Sequence, residues 1–418
     1  MKTTIALALV LVSIISPAQT LEDYTKIAAE QNPGLQAKYR EFEMATQKVA
    51  QVSTLPDPTF SVSAFGQMIE TRVGPQRARF TLSQMFPWFG TLKAQGNAAT
   101  LMAEANFQAY LNERNMLELK VASAYYPLYE IYRWKKLEQE NIAILKSYKT
   151  ITTTKFENGA GPMVDVLRVD IMLNEAETNL SILKDKERSL LITFNTLLNR
   201  EELAVVVMPD SLPAGTLPQA LTKDSLMVTN PALESFALKM EAGKASERAA
   251  VKQASPRLGV GLDYIIIGER TDLGPDMAPP PDNGKDAIMP MVTVTLPIYR
   301  GKYKAAIKET QLASENYRLQ REEYTNSLLA GYEMAQFEAK KEFDLITLYG
   351  RQREETNQAL NLLLSAYGNS GKDFEEVLRM QQQLLKYDKM KASAEVQFHI
   401  AVARMNYLTG KSYGNESK

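Results

Sequence analysis

The chain has 418 residues, 45% of them hydrophobic, with 48 basic against 49 acidic side chains and a formal net charge of -1. That balance leaves no basic surplus for nucleic acid. No cysteine and only one histidine are present, which excludes disulfides, thiolate metal sites and a lipidated cysteine, and most metal or nucleophile arrangements.

The N-terminus reads as a secretory signal over residues 1–18. Lys2 supplies the charge, an apolar stretch covers 5–15, and Ser16-Pro17-Ala18 forms a small-residue cleavage site. The apolar run falls short of the roughly 20 residues of a spanning helix, so the reading is an exported chain rather than an anchored one. In a bacterium this places it in the periplasm, the outer membrane or beyond.

A first repeat is expected over 19–200. Asn32-Pro33 opens a helix to about residue 54, because Pro is preset for the first turn. Leu35, Tyr39, Phe42, Val49 and Val52 recur there at helical spacing. The period then changes to two. Phe60, Val62 and Ala64 alternate with Ser61 and Ser63, and Ala78, Phe80 and Leu82 with Arg79, Thr81 and Ser83, predicting strands at about 58–68 and 77–86. A helical hairpin follows over 88–199: a long helix from about 90 to 158, a tip at Asn158-Gly159-Ala160-Gly161-Pro162, and a return helix. A helix of that length reaches roughly 100 Å and implies coiled-coil-like packing. Pro127 should kink it.

Residues 201–229, with Pro209, Pro213, Gly215 and Pro218, read as a linker lying beside the helices. Then the chain repeats itself over 230–411. Asn32-Pro33-Gly34-Leu35 returns as Asn230-Pro231-Ala232-Leu233, and Pro58 as Pro256. Strands are expected at about 257–267 and 288–297, with Leu258, Val260, Leu262, Tyr264 and Ile266 opposing Gly259, Gly261 and Asp263. Phe156 maps to Tyr367, Val166-Leu167 to Val377-Leu378 and Arg200 to Lys411. The register between copies changes only within the Pro/Gly/Asp-rich segment 268–288, which marks that stretch as a loop and the rest as a duplicated unit. A second hairpin covers 299–410, and 412–418 is a polar tail.

Four strands of nine to eleven residues match transmembrane β-strands, and the pattern fits equally a sheet with one face on a soluble core. Four strands cannot close a barrel, which needs about eight. If they cross a membrane, the chain must associate with copies of itself, since an open edge in lipid leaves backbone groups unpaired.

Taken together, the duplicated Asn-Pro helix, the strand pair ending in Gln84-Met85-Phe86-Pro87 or Thr295-Leu296-Pro297, and the tip Phe156-Glu157-Asn158-Gly159 followed by Asp165-Val166-Leu167 resemble the TolC-type outer-membrane efflux family over nearly all of the mature chain. The resemblance implies a fold that is mainly α with transmembrane β: long α-helical hairpins forming a periplasmic tunnel, and four β-strands per chain contributing to a 12-stranded trimeric barrel. It implies a homotrimer in the outer membrane of a Gram-negative bacterium, in contact with outer-membrane lipid. Its partners would be a periplasmic adaptor (membrane fusion) protein and an inner-membrane pump of RND or ABC type. The expected role is a passive exit duct for small molecules; the outer channel of type I protein secretion and a soluble periplasmic coiled-coil scaffold are the alternatives. No enzymatic activity, cofactor or resident metal is expected.

The resemblance places a pore gate on the second hairpin, where the family's acidic stretch reads Glu376-Val377-Leu378-Arg379, with Asp373 and Glu375 before it. Copies of Glu376 around a lumen would favour cations; Arg379 departs from the acidic pattern and can neutralise that ring. The same acids also suit a helix N-terminus without any gate. Adaptor contact is implied at the tips, at Gly159, Gly161, Ser370 and Gly371, where tight turning alone also explains the glycines. Phe86, Trp88, Phe89 and Tyr299 flank the Pro87 and Pro297 bends, as rings at a headgroup level would or as ordinary packing would. The 18 methionines, Met277, Met289 and Met291 among them, read as packing rather than soft-metal ligands, and His399 as a packed helix residue.

Overall fold

The structure is a computed structural model that describes residues 20–274, 276–370 and 374–411. The signal segment, Gly371, Asp373 and the tail lie outside the described residues. In chain order the elements are α1 (Leu21–Gln31), α2 (Pro33–Ser53), β1 (Thr59–Ile69), β2 (Gln76–Phe86), α3 (Thr91–Glu157), α4 (Met163–Leu197), α5 (Lys223–Thr229), α6 (Pro231–Gln253), β3 (Arg257–Ile267), β4 (Ala287–Thr295), α7 (Arg300–Ser370) and α8 (Phe374–Leu408). Two compact units result. One holds residues up to 37, 111–230 and from 325 onward; the other holds 38–110 and 231–324. No helix among the described residues is long and apolar enough to cross a membrane.

The helical unit shows the duplication at the level of single hydrogen bonds. The Asn32 side-chain amide donates to the Leu197 carbonyl at 3.0 Å, at the end of α4, while its oxygen accepts from the Leu35 amide at 3.1 Å. In the second copy Asn230 donates to the Leu408 carbonyl at 3.1 Å, at the end of α8. Each asparagine satisfies a carbonyl that a helix C-terminus leaves unpaired. The proline after it lacks only an N–H that the first helical turn could not use. Two short helices preceding these asparagines, α1 and α5, were not expected from the sequence. Both begin at a threonine cap: Thr20 forms a capping box with Asp23, and Thr222 accepts from the Ser225 amide.

Two apolar clusters hold this unit. Leu145, Val169, Phe374 and Val377 anchor one; Tyr332, Ala335, Phe398, Ala401 and Met405 anchor the other. Alanines at the contact let helix backbones approach closely. Segment 201–222 carries no helix or strand and lies against this unit. The Val207 amide donates to the Tyr24 hydroxyl at 3.2 Å, and the Leu221 amide to the Tyr332 hydroxyl at 2.9 Å. Gly215 is required there, because a Cβ would sit 2.1 Å from the Phe398 ring. Helix α3 remains continuous through Pro127.

In the other unit the four strands form one antiparallel sheet in the order β1-β2-β3-β4. Pro290 lies in β4, an edge strand, where a missing N–H is tolerated. The β3–β4 connection is a loop, hydrogen-bonded to the β1–β2 turn: Gly268 N–H to the Pro75 carbonyl and Gly284 N–H to the Val73 carbonyl, both 2.8 Å. Gly74 sits at φ 121°, and a Cβ there would lie 1.9 Å from the Gly268 carbonyl oxygen. Nearby, the Ser235 hydroxyl donates to the Ala105 carbonyl at 2.8 Å, pinning α6 to α3.

Candidate functional site

The sheet is turned inside out relative to a soluble protein. Its rungs run Val62–Phe80–Tyr264–Ile288, Phe60–Leu82–Leu262–Pro290 and Phe86–Leu258–Val294, which assembles one apolar face across all four strands. That face is exposed: Phe60 is 63%, Val260 54% and Val292 75% accessible. Its reverse carries Thr81 opposite Asp263 and Ser83 opposite Gly261, and Asp263 is only 3% accessible. The Thr81 hydroxyl donates to Asp263 at 2.6 Å, and the Arg79 guanidinium lies 3.9 Å from the same carboxylate. Gly259 and Gly261 leave room for methionines; a Cβ would meet Met85 Sδ at 2.4 Å and Met291 Cε at 3.0 Å. Ile265 and Ile267 are buried while Ile266 is half-buried, so exposure keeps the period of two but the covered face turns apolar at the loop end of β3.

An exposed contiguous apolar face is unusual for a protein surface in water. A sheet lying on a soluble core would bury this face and expose Asp263. Among the described residues, both outer edges of the sheet are open. Exposed aromatic side chains mark the ends of β2 and β4: Phe86 closes β2, Trp88 and Phe89 follow it, and Tyr299 follows β4.

At the first tip, Gly159 takes φ 69° and its N–H reaches the Phe156 carbonyl at 2.9 Å, while Ala160 N–H reaches Lys155 at 2.8 Å. Gly161 packs on Lys155, where a Cβ would meet the side chain at 3.3 Å. The Lys155 ammonium caps the second hairpin, donating to the Tyr367 carbonyl at 3.0 Å and lying 3.6 Å from the Tyr367 ring centroid. Phe374 is 1% accessible, with ring centroids 4.7 Å from Tyr367 and 5.6 Å from Tyr148. Burial, with Asp165 nearby, pushes the Tyr367 hydroxyl up.

Of the expected gate residues, Glu375, Glu376 and Arg379 are described, and their ion pairs differ. Glu376 pairs with Arg379 on its own helix. Glu375 instead reaches Arg168 of the first hairpin at 2.8 Å, and Arg168 also lies 3.4 Å from Asp165. Asp373 and Gly371 are outside the described residues, as is the side chain of Ser370. Arg168 was missed in the sequence although the duplication marks it: Asp165-Val166-Leu167-Arg168 matches Glu376-Val377-Leu378-Arg379.

His399 stacks on Tyr126 with ring centroids 5.2 Å apart, and burial holds its imidazole below the usual value of 6.5. Above that value both folded and unfolded chains carry neutral histidine. Below it the unfolded chain takes up the proton first, so stability should fall as pH drops from 6.5 through the lowered folded value. Glu395, pushed up by burial, works in the opposite sense in the acidic range. Melting curves of His399→Phe should lack the histidine component; a pH profile matching that of the parent chain would contradict it. No group of three or more metal-ligating side chains occurs among the described residues.

No protein-family model and no characterised protein sequence matches the chain. Solved structures do. The outer-membrane channel OprN superposes with a TM-score of 0.74 at 18% identity, covering 94% of this chain and 90% of that one. CusC, described as forming a transmembrane channel, gives 0.76 at 14% identity, with 94% and 93% covered. VceC, an outer membrane protein of Vibrio cholerae, gives 0.74 at 14%, with 94% and 96% covered. The chain has the fold of these channels. Its helical hairpins and four-stranded sheet align with theirs over 94% of the chain.

Proposed function

We propose that the chain is the outer-membrane exit duct of a tripartite exporter. The sheet is one third of a 12-stranded barrel, and the helical unit is one third of a periplasmic tunnel that receives small molecules from an inner-membrane pump through an adaptor. The observation that carries this reading is the sheet: apolar side chains form an exposed face across four strands, Asp263 is covered on the reverse, and both edges await partners. In lipid the outward face is solvated and the edges must be paired. The similar solved channels support the same reading. Cell fractionation without detergent tests it. The chain should remain with the outer membrane; recovery in the soluble periplasmic fraction would point to a scaffold.

The tips are the proposed contact for the adaptor, through Gly159, Gly161, Ser370 and Gly371. Three copies of Glu376, flanked by Glu375 and Asp373, are the proposed gate. Arg379 pairs with Glu376 of its own chain, which trims the negative field each copy offers to cations. Removing both side chains, Glu376→Ala with Arg379→Ala, widens the constriction and should raise single-channel conductance in planar bilayers. Unchanged conductance would remove the gate assignment.

A further inference from the structure

Within the helical unit, α3, α4, α7 and α8 line an open cavity of ≈ 680 Å³, a size typical of small-molecule sites. Trp134 and Tyr349 supply aromatic faces to its lining. The Trp134 indole N–H donates to the Lys389 carbonyl at 3.3 Å, which fixes the ring. Glu138 also lines the cavity and is 1% accessible. One of its oxygens pairs with the Lys389 ammonium. The other, Oε2, is buried with no hydrogen-bond partner. A buried carboxylate oxygen without a donor is strongly unfavourable, and the cavity is where a donor can enter.

The bare carboxylate oxygen sets the kind of donor. Glu175 and Glu342 join Glu138 in the lining, against Lys386 and Lys389, and Glu342 already pairs with Lys341 at 2.7 Å. An unmatched acceptor on a carboxylate beside two aromatic faces favours a cation over an anion or a neutral solute. We infer that this cavity is a binding site for aromatic or amphipathic ammonium ions, with the ligand N–H donating to Glu138 Oε2 and the apolar body lying against Trp134. The inference holds whether or not the chain forms a duct.

The chain contains two tryptophans, so Trp88→Phe leaves Trp134 as sole reporter. The full mature protein in lipid nanodiscs would be titrated with 4-phenylbutylammonium, with 4-phenylbutanol and 4-phenylbutanoate as neutral and anionic isosteres and empty discs as blank. Trp134 emission should change saturably with the ammonium ion. The alcohol should bind at least ten-fold more weakly and the carboxylate not at all. Glu138→Gln removes the charge and should weaken the ammonium ion ten-fold or more. Gln382→Lys, which adds a cation to the lining at an exposed position, should do the same without touching the buried pair. An equal response to all three probes, affinity unaltered by the variant that folds, or no saturable response (Oε2 being served by water) would overturn the inference.

Discussion

Replacing Val260 and Val294 together with arginine is expected to abolish stable assembly in the outer membrane. Both side chains lie on the exposed face, at 54% and 50% accessibility. Val260 pairs across the ladder with Val292, and Val294 with Leu258, so the two arginines occupy different rungs. An arginine facing lipid costs about 2–4 kcal/mol at the bilayer midplane and about 0–1 kcal/mol near its interface. Val294 shares its rung with Phe86 at the aromatic end of the sheet, so Val260 carries most of the cost. Every copy in the barrel carries it, so the assembly loses it several times over. Heat-modifiable mobility on semi-native gels and protease protection in intact cells would report it. Ser61→Arg is the control. Ser61 lies on the opposite face, in the register Ser61–Thr81–Asp263, and should assemble normally. Normal assembly of the double arginine variant would mean the faces are reversed.

Phe374→Ala should have the largest effect at the tips. Besides the Lys155 bond to Tyr367, an ion pair and an aromatic cluster hold the tips of the hairpins together, and their magnitudes differ. The Arg168–Glu375 bridge is half in solvent, with side chains 37% and 58% accessible, which limits it to roughly 1 kcal/mol or less. The Phe374 ring is fully enclosed between Tyr367 and Tyr148, and truncating such a ring costs about 3–5 kcal/mol. Aromatic packing therefore dominates over charge. Phe374→Ala should loosen the start of α8, raise conductance and expose the 158–162 turn to protease. Arg168→Ala should give a smaller effect that fades at high salt. A Phe374→Ala tip as resistant as the parent, with Arg168→Ala the more severe change, would reverse this ranking.

Much of the architecture was legible because the chain states it twice. Asn32-Pro33 and Asn230-Pro231 carried the repeat, and the structure gives both asparagines the same bond to the end of a return helix. The period-two alternation also showed which strand residues share a face. It could not show which face is covered, because that depends on what packs over Asp263. Its partners Thr81 and Arg79 come from a strand more than 180 positions away. The short helices α1 and α5 escaped notice because two or three turns carry little periodic signal, although Thr20 and Thr222 were readable caps. The Arg168–Glu375 contact and the Glu138–Lys389 pair each join the two copies, and no local spacing announces such pairs. Arg379 alone suggested a neutralised ring; only the structure shows it bonded to its own helix.

The central claim is that four strands are a fraction of a wall. Native mass spectrometry of the protein released from outer-membrane nanodiscs measures this directly, by counting chains in the folded particle. Three copies are predicted, held together until the sheet itself unfolds. A folded single chain, stable in water without lipid or detergent, would contradict it.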